Sequence, residues 1–185
     1  MKSLNARLDE LEKVIQTSDF LEGKGLSNEV NIRFFCYDPK DEMAVRKHVV
    51  KMKENKKFGC RLVERNLYEI FLLICEKLEI LDQIEEMERE EGSQNLLDQL
   101  RSTVEIEDFA VEIDNFERSP KDVLLLNGVG DVFPFMRVHS LLEALQPRFS
   151  DTPILVMYPG EFTGTEMKLF NKLESNNYYR AFKLL

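Results

Sequence analysis

Apolar residues fall at helical spacing from the start of the chain. Leu4, Leu8, Leu11 and Ile15 recur every three or four positions, so an amphipathic helix is expected over 3–18. "GKGLSN" (23–28) ends it. The period then changes to two. In "NIRFFCYD", Ile32, Phe34 and Cys36 alternate with Phe35 and Tyr37. A strand apolar on both faces belongs to a sheet covered on both sides. Asp38-Pro39 stops that strand, and proline suits the first turn of the next helix, in which Val45, Val49 and Met52 share one side. "CRLVERNL" predicts a second strand.

In "YEIFLLICEKLEILDQIEEMEREE", Ile74, Leu78, Leu81, Ile84 and Met87 form an apolar stripe at helical spacing. Gly92 and Ser93 interrupt it, and "NLLDQL" and "EDFAVEIDNFER" continue as helices. After Pro120 come three short apolar runs, "DVLLLN", "PILVMY" and "YYRAFKL". Helices are expected between them over 135–145 and 166–173, the second supported by the capping-box spacing of Thr163 and Glu166. Strands and helices alternating at this spacing predict an α/β fold, a mainly parallel sheet flanked by helices. The section at about 69–117 reads as an acidic helical insertion. One domain over 1–185 is the expected organisation.

Charge sharpens that division. The net charge is −9, and 69–117 holds sixteen acidic and three basic residues, a local −13 that leaves +4 for the remainder. Over 40–57, Lys40, Arg46, Lys47, Lys51, Lys53, Lys56 and Lys57 make a basic helix face. Such a face suits phosphates or an acidic partner surface, or is simply solvated. An acidic protein is a poor generic ligand for nucleic acid, since neutralising phosphates supplies most non-specific affinity. No apolar run reaches membrane-spanning length. The charged N-terminus lacks the apolar core of a secretory signal. Cys36, Cys60 and Cys75 are odd in number and unclustered, which fits a reducing cytoplasm.

The candidate chemistry centres on "VLLLNGVGDVF". Gly128 and Gly130 follow a strand, as in loops that cradle phosphate. The lysine and hydroxyl of a P-loop are missing, and Phe133 stands where a dinucleotide fingerprint needs its third glycine. "YPGEFTG" repeats the arrangement, with Tyr158, Pro159 and Gly160 read as a turn after "ILVM". Two such turns at the C-terminal edge of a parallel sheet would form a crevice of the kind where open α/β folds bind ligands. Both are equally well explained as plain turn chemistry. Asn127, Gly128, Gly130, Tyr158, Gly160 and Arg180 are therefore the candidate binding residues. Arg46, Lys47, Lys51, Lys53 and Lys57 are the candidate basic face. Asp38 and Asp131 lie just past strand ends, where carboxylates act in catalysis or merely open helices. His48 and His139 have no metal-ligand spacing, and His139 has Glu143 one turn on. The cysteines lack zinc spacing. No nucleophile motif, metal site or cofactor site is legible.

The tract "LLLNGVGDVFPFMRVHSLLEALQ", followed by "PILVMYPGEFTG" and "LFNKLESNNYYRAFKL", resembles the BrxB family, small components of the BREX bacteriophage-defence systems of bacteria and archaea. The likeness is strongest over 124–184 and extends more loosely over the N-terminal half, including "NIRFFCYDP". The resemblance implies action beside a methyltransferase, a large ATPase and PglZ, an alkaline-phosphatase-like protein. Such systems methylate host DNA as self and block replication of unmarked phage. The family brings no catalytic motif to these residues. The expectation is a non-catalytic, cytoplasmic interaction subunit of a BREX complex that docks partners such as the PglZ-like protein. Two other readings stay open. One is a degenerate nucleotide-binding domain with the Asn127 and Tyr158 turns as its crevice. The other is a DNA-contacting subunit using the basic helix.

Overall fold

The structure is a computed structural model and describes residues 2–23, 31–162, 166–175 and 182–184. Two helices open the chain, α1 (Leu4–Val14) and α2 (Ser18–Leu21). The helix expected over 3–18 is interrupted at Thr17. Its hydroxyl donates to Val14 O (2.7 Å) and accepts from Phe20 N (3.3 Å), closing one helix and capping the next. Strand β1 (Ile32–Tyr37) ends at Asp38, whose Oδ1 accepts from Lys40 N. A single 3-10 turn with Pro39 at its start then leads into α3 (Glu42–Glu54). Strand β2 (Arg61–Asn66) passes directly into α4 (Leu67–Lys77). The acidic section continues as α5 (Ile84–Glu91), α6 (Ser93–Thr103) and α7 (Ile106–Asp114). The remaining elements are β3 (Asp122–Asn127), α8 (Val129–Val132), α9 (Val138–Leu145), β4 (Ile154–Phe162), β5 (Met167–Leu169), β6 (Leu173–Ser175) and β7 (Phe182–Lys183).

Among the described residues the strands form one sheet in the order β2-β3-β4-β1-β7, every neighbouring pair parallel. The β5–β6 hairpin adds antiparallel to the far end of β4. The α/β architecture expected from the alternating pattern is the one observed. Strand alternation sorts the core into two layers. Phe35, Tyr37, Val123, Leu125, Leu155 and Met157 face α1 and α3, meeting Leu8, Leu11, Val45, Val49 and Met52. Ile32, Phe34, Cys36, Leu124, Leu126, Ile154 and Val156 face α4, α6, α7 and α9. Residues 123–126 are completely buried, which explains why β3 is an unbroken apolar run rather than an alternating one. Each such leucine contributes about 1.5–3 kcal/mol of burial.

Three further expectations are corrected. The stripe from Ile74 to Met87 is not one helix. α4 stops at Lys77, Glu79 turns through φ 58°, and Ile80 N donates back to Cys75 O at 3.0 Å. This is a Schellman ending with glutamate in the position glycine usually takes, so no glycine marked it. Leu78 is left 43% exposed, while Leu81, on a short 3-10 turn, and Ile84 and Met87, on α5, pack against the core. The helix expected over 166–173 is instead the β5–β6 hairpin. Met167 and Leu169 are buried with Lys168 between them less so, a period of two, and they pair with the overrun of β4. Thr163, the other half of the expected capping box, lies outside the described residues. Finally, "YPG" is not a turn, because β4 runs straight through it to Phe162.

A salt bridge pins the sheet at the edge where β2 and β3 start. Arg61 Nε donates to Asp122 Oδ1 and Nη2 to Oδ2, both at 2.7 Å, and Ser119 N donates to Oδ2. Burial alone would raise the Asp122 pKa, but the fork from Arg61 and the Ser119 amide hold it below the usual carboxylate value. No helix among the described residues is long and apolar enough to cross a membrane.

Candidate functional site

At the C-terminal edge of the sheet, β2, β3 and β1 end at Asn66, Asn127 and Tyr37, and β4 overruns them. This is the edge where an open α/β sheet binds ligands. Gly128 takes φ 71°, ψ 17° and turns the chain into α8, a conformation cheap only for glycine. A Cβ there would lie 2.4 Å from Asn66 Oδ1. That oxygen caps α4, accepting from Tyr68 N (3.0 Å) and Glu69 N (3.3 Å). The glycine therefore makes room for a neighbouring helix cap.

Gly130 has ordinary backbone angles but no room. A Cβ would meet Phe170 Cε1 at 2.8 Å and Pro159 Cγ at 3.3 Å. Phe170, in the β5–β6 turn, adopts φ 56°, unusual for a bulky residue. Its ring lies edge-on to Phe133 at 6.4 Å between centroids. Gly160 is tighter still, its Cβ falling 2.1 Å from Lys168 O, so only glycine lets β5 approach β4. Pro159 fits for a different reason. Along β4, Pro153 O accepts from Leu124 on the β3 side, while Ile154 N donates to Asn31 on the β1 side. By alternation Pro159 faces the β3 side, past the end of β3. Its missing N–H breaks no ladder there, and its carbonyl accepts from Phe170 N at 2.8 Å. The glycines that suggested a phosphate cradle are thus filled by Asn66, Phe170 and Lys168 of the chain itself.

The other candidates divide. Tyr158 is 2% exposed and stands edge-on to Phe34 at 5.7 Å, a core residue rather than a rim of the crevice. Asn127 is half-buried; its Nδ2 donates to Glu64 Oε1 at 2.6 Å, and its Oδ1 is buried without a hydrogen-bond partner among the described residues. Arg180 lies outside the described residues. Asp131 enters an ion pair with Arg46, which also donates through Nε to Glu42 Oε1 at 2.7 Å. Glu42 in turn accepts from Tyr37 Oη at 2.7 Å. Burial first, and then Glu42, push the Tyr37 phenol upward, so it stays protonated. Tyr37, Glu42, Arg46 and Asp131 form a chain of polar contacts that ties α3 to α8.

The basic face splits in the same way. Arg46 is engaged as described, and Lys53 pairs with Glu64. Lys47, Lys51, Lys56 and Lys57 are exposed and have no ion pair among the described residues. His48 Nε2 lies 2.9 Å from Glu12 Oε1, linking α3 to α1, and His139 Nε2 lies 3.2 Å from Glu143 Oε1 one helical turn on. Among the described residues no group of three or more His, Cys, Asp or Glu could hold a metal ion. All three cysteines are buried, and none is in a disulfide. Burial, helped by the charge of Asp122, pushes the Cys60 thiol up to about 11, far from a reactive thiolate. Surface clefts of about 310 Å3 and 300 Å3 lie at the start of β3 and beside β2; neither is lined by Asn127, Gly128, Gly130, Tyr158 or Gly160.

Sequence reasoning missed Asn66, Phe170 and the exposed side chains of Met43 and Val50. Asn66 had a signal, an asparagine just before an apolar helical run, hidden because "CRLVERNL" reads on as a strand. Phe170 had none, because its segment reads as a helix.

A family model described as BREX protein BrxB matches residues 63–184. A BREX protein BrxB from Bacillus cereus (strain H3081.97) is 37% identical over 190 residues, covering 100% of this chain and 99% of that protein. A second, from Escherichia coli O9:H4 (strain HS), is 29% identical over 189 residues, covering 98% of this chain and 92% of its own. No solved structure matches the chain significantly.

Proposed function

The chain belongs to the BrxB family of the BREX phage-defence systems, and from that premise we propose that it is a non-catalytic docking subunit. In this reading it holds other BREX proteins together, the PglZ-like protein first among them and the large ATPase and methyltransferase next. The observation that carries the reading is the filled sheet edge. Where an α/β enzyme keeps a vacant crevice, Asn66 occupies the space over Gly128 and Phe170 the space over Gly130. The carboxylates nearby are tied to Arg46 and Lys53 rather than held ready for acid–base work. A cytoplasmic setting goes with this role and suits three buried cysteines outside any disulfide.

The experiment has two arms. Tagged protein expressed with the remaining BREX genes should bring down named BREX components in fixed ratio. Magnesium-ATP should leave its melting temperature unchanged, whereas a ligand at a hundred times its dissociation constant would add about 2.7 kcal/mol. A nucleotide-dependent rise in melting temperature would overturn the reading and restore the degenerate nucleotide-binding domain.

A further inference from the structure

The outward face of α3 is not needed by the fold. Val45, Val49 and Met52 bury the inner face, yet Met43 is 74% exposed and Val50 48% exposed on the outer one. Seven residues apart on a helix, these side chains stand about 10 Å from each other on one side. Lys47 sits between them, one turn from Met43, and Lys51, Lys56 and Lys57 extend the positive charge past Val50. These four ammonium groups have no ion pair among the described residues, while Arg46 and Lys53 are turned aside to Asp131 and Glu64. The chain's own acidic helices cannot neutralise them. The acidic helices α5 and α7 pack onto the other layer of the core, with the sheet in between.

We infer that the outer face of α3 is a docking surface for an acidic helix of a partner protein, with Met43 and Val50 as apolar anchors and Lys47 and Lys51 as the charges that select carboxylates. The inference rests on the docking reading above and names its surface. Two apolar anchors at i and i+7 match the spacing with which one helix grips another. Methionine is enriched at the cores of protein interfaces, and an apolar centre with a polar rim is their usual anatomy. Nucleic acid fits less well. Phosphates would use the lysines but leave Met43 and Val50 unsatisfied, and a chain of net charge −9 is repelled by a polyanion. A membrane-lying helix buries a broad apolar face in the lipid, whereas the apolar face of α3 is already spent on the core.

The test uses the full chain, tagged and co-expressed with the other BREX components. A carbodiimide, which joins an amine to a carboxylate only in direct contact, is applied before purification, and the cross-links are mapped by mass spectrometry. Lys47 or Lys51 should be joined to an Asp or Glu in a helix of one BREX component. Met43→Asp, and separately the pair Lys47→Glu with Lys51→Glu, should cut recovery of that component about tenfold, the loss of one hot spot. Both variants should keep the parent melting temperature, because the side chains are exposed, and raised salt should weaken wild-type capture. Undiminished recovery with both variants would overturn the inference and leave the docking reading standing. Failure of the wild-type chain to bring down any BREX component would remove both. Cross-links between two copies of this chain would reassign the face to self-association. Binding to duplex DNA or to anionic vesicles that falls with the lysine pair and not with Met43→Asp would reassign it to a polyanion.

Discussion

Strand β3 stops at Asn127, and Gly128 swings the chain through the left-handed region into α8. Strand β4, its neighbour, reaches the same level at Met157 and continues through Tyr158, Pro159 and Gly160 to Phe162. In sequence the two ends look alike, each an apolar run followed within three residues by glycine. In the fold one glycine permits a turn and the other permits a strand to be approached. A Cβ on Gly128 would strike a helix-capping side chain, and one on Gly160 would strike a backbone carbonyl. A glycine after a strand therefore signals that something comes close. Its residue type does not say whether that body is a ligand, a cap or another strand.

The comparison breaks hardest at Tyr158. If β4 is a core strand there, Tyr158→Ala removes a ring that is 2% exposed and packed on Phe34, at a cost of about 3–5 kcal/mol. A chemical-denaturation midpoint close to the parent's would show that the ring is peripheral and that the strand ends earlier. Gly160→Ala comes next. Its Cβ would fall 2.1 Å from Lys168 O, and backbone cannot swing aside, so the cost should be about 3 kcal/mol, the upper end for overpacking. Hydrogen exchange should speed up across β5 while β1 and β3 remain protected. Uniform loss of protection would mean that the hairpin is part of the core rather than an addition to it.

Much of the fold was legible because its signals are local. Phe34 and Phe35 announced a doubly covered strand, Val45 with Val49 and Met52 announced the inner face of α3, and the run of residues 123–126 announced a buried strand. The edge of the sheet was not legible, because its signals are relational. Pro159-Gly160 is turn chemistry by itself, and becomes strand only because β3 has ended beside it and β5 takes its place. Glu79 ends α4 by packing Ile80 beneath it, with no breaker residue. Asn127 and Tyr158 were grouped as one crevice since they follow adjacent strands. Their side chains go to opposite faces of the sheet, Asn127 toward Glu64 and Tyr158 toward Phe34.

Two smaller effects sharpen the picture of β3, which is pinned at both ends. At its start, Asp122→Asn should cost about 2 kcal/mol through the charged hydrogen bonds it weakens. The sign with pH follows from the depressed pKa. Below about pH 4 the unfolded carboxyl is protonated first, so the stability that Asp122 supplies is present at neutral pH and fades as pH falls through its folded value. The wild-type chain should lose that increment on acidification and the asparagine variant should not; parallel pH profiles would sink the assignment. At its end, Gly128→Ala should cost about 2 kcal/mol, from left-handed strain and a displaced α4 cap. Asn66→Ala alone should cost about 1 kcal/mol. The two together should cost less than their sum, because the new methyl takes the space the cap has left. Strict additivity would mean that the two residues do not share that space.

The smallest effect is expected at Asn127, which composition and position had marked for binding. Its amide nitrogen donates to Glu64 at 2.6 Å, and a hydrogen bond to a charged group is worth about 1.5–3 kcal/mol. The same side chain holds a buried oxygen with no donor among the described residues, and burying an unmet acceptor costs about 1–3 kcal/mol. Asn127→Ala removes both together, and Glu64 keeps its pairing with Lys53. The net loss should therefore be about 0.5 kcal/mol, small against Gly128→Ala at the next position. Capture of BREX components should be unchanged, since Asn127 lies between the strand ends and not on the outer face of α3. A loss above about 2 kcal/mol, large beside that near-cancellation, would mean that the side chain anchors the strand end. Normal melting with failed capture would instead move the docking surface from α3 to the edge of the sheet.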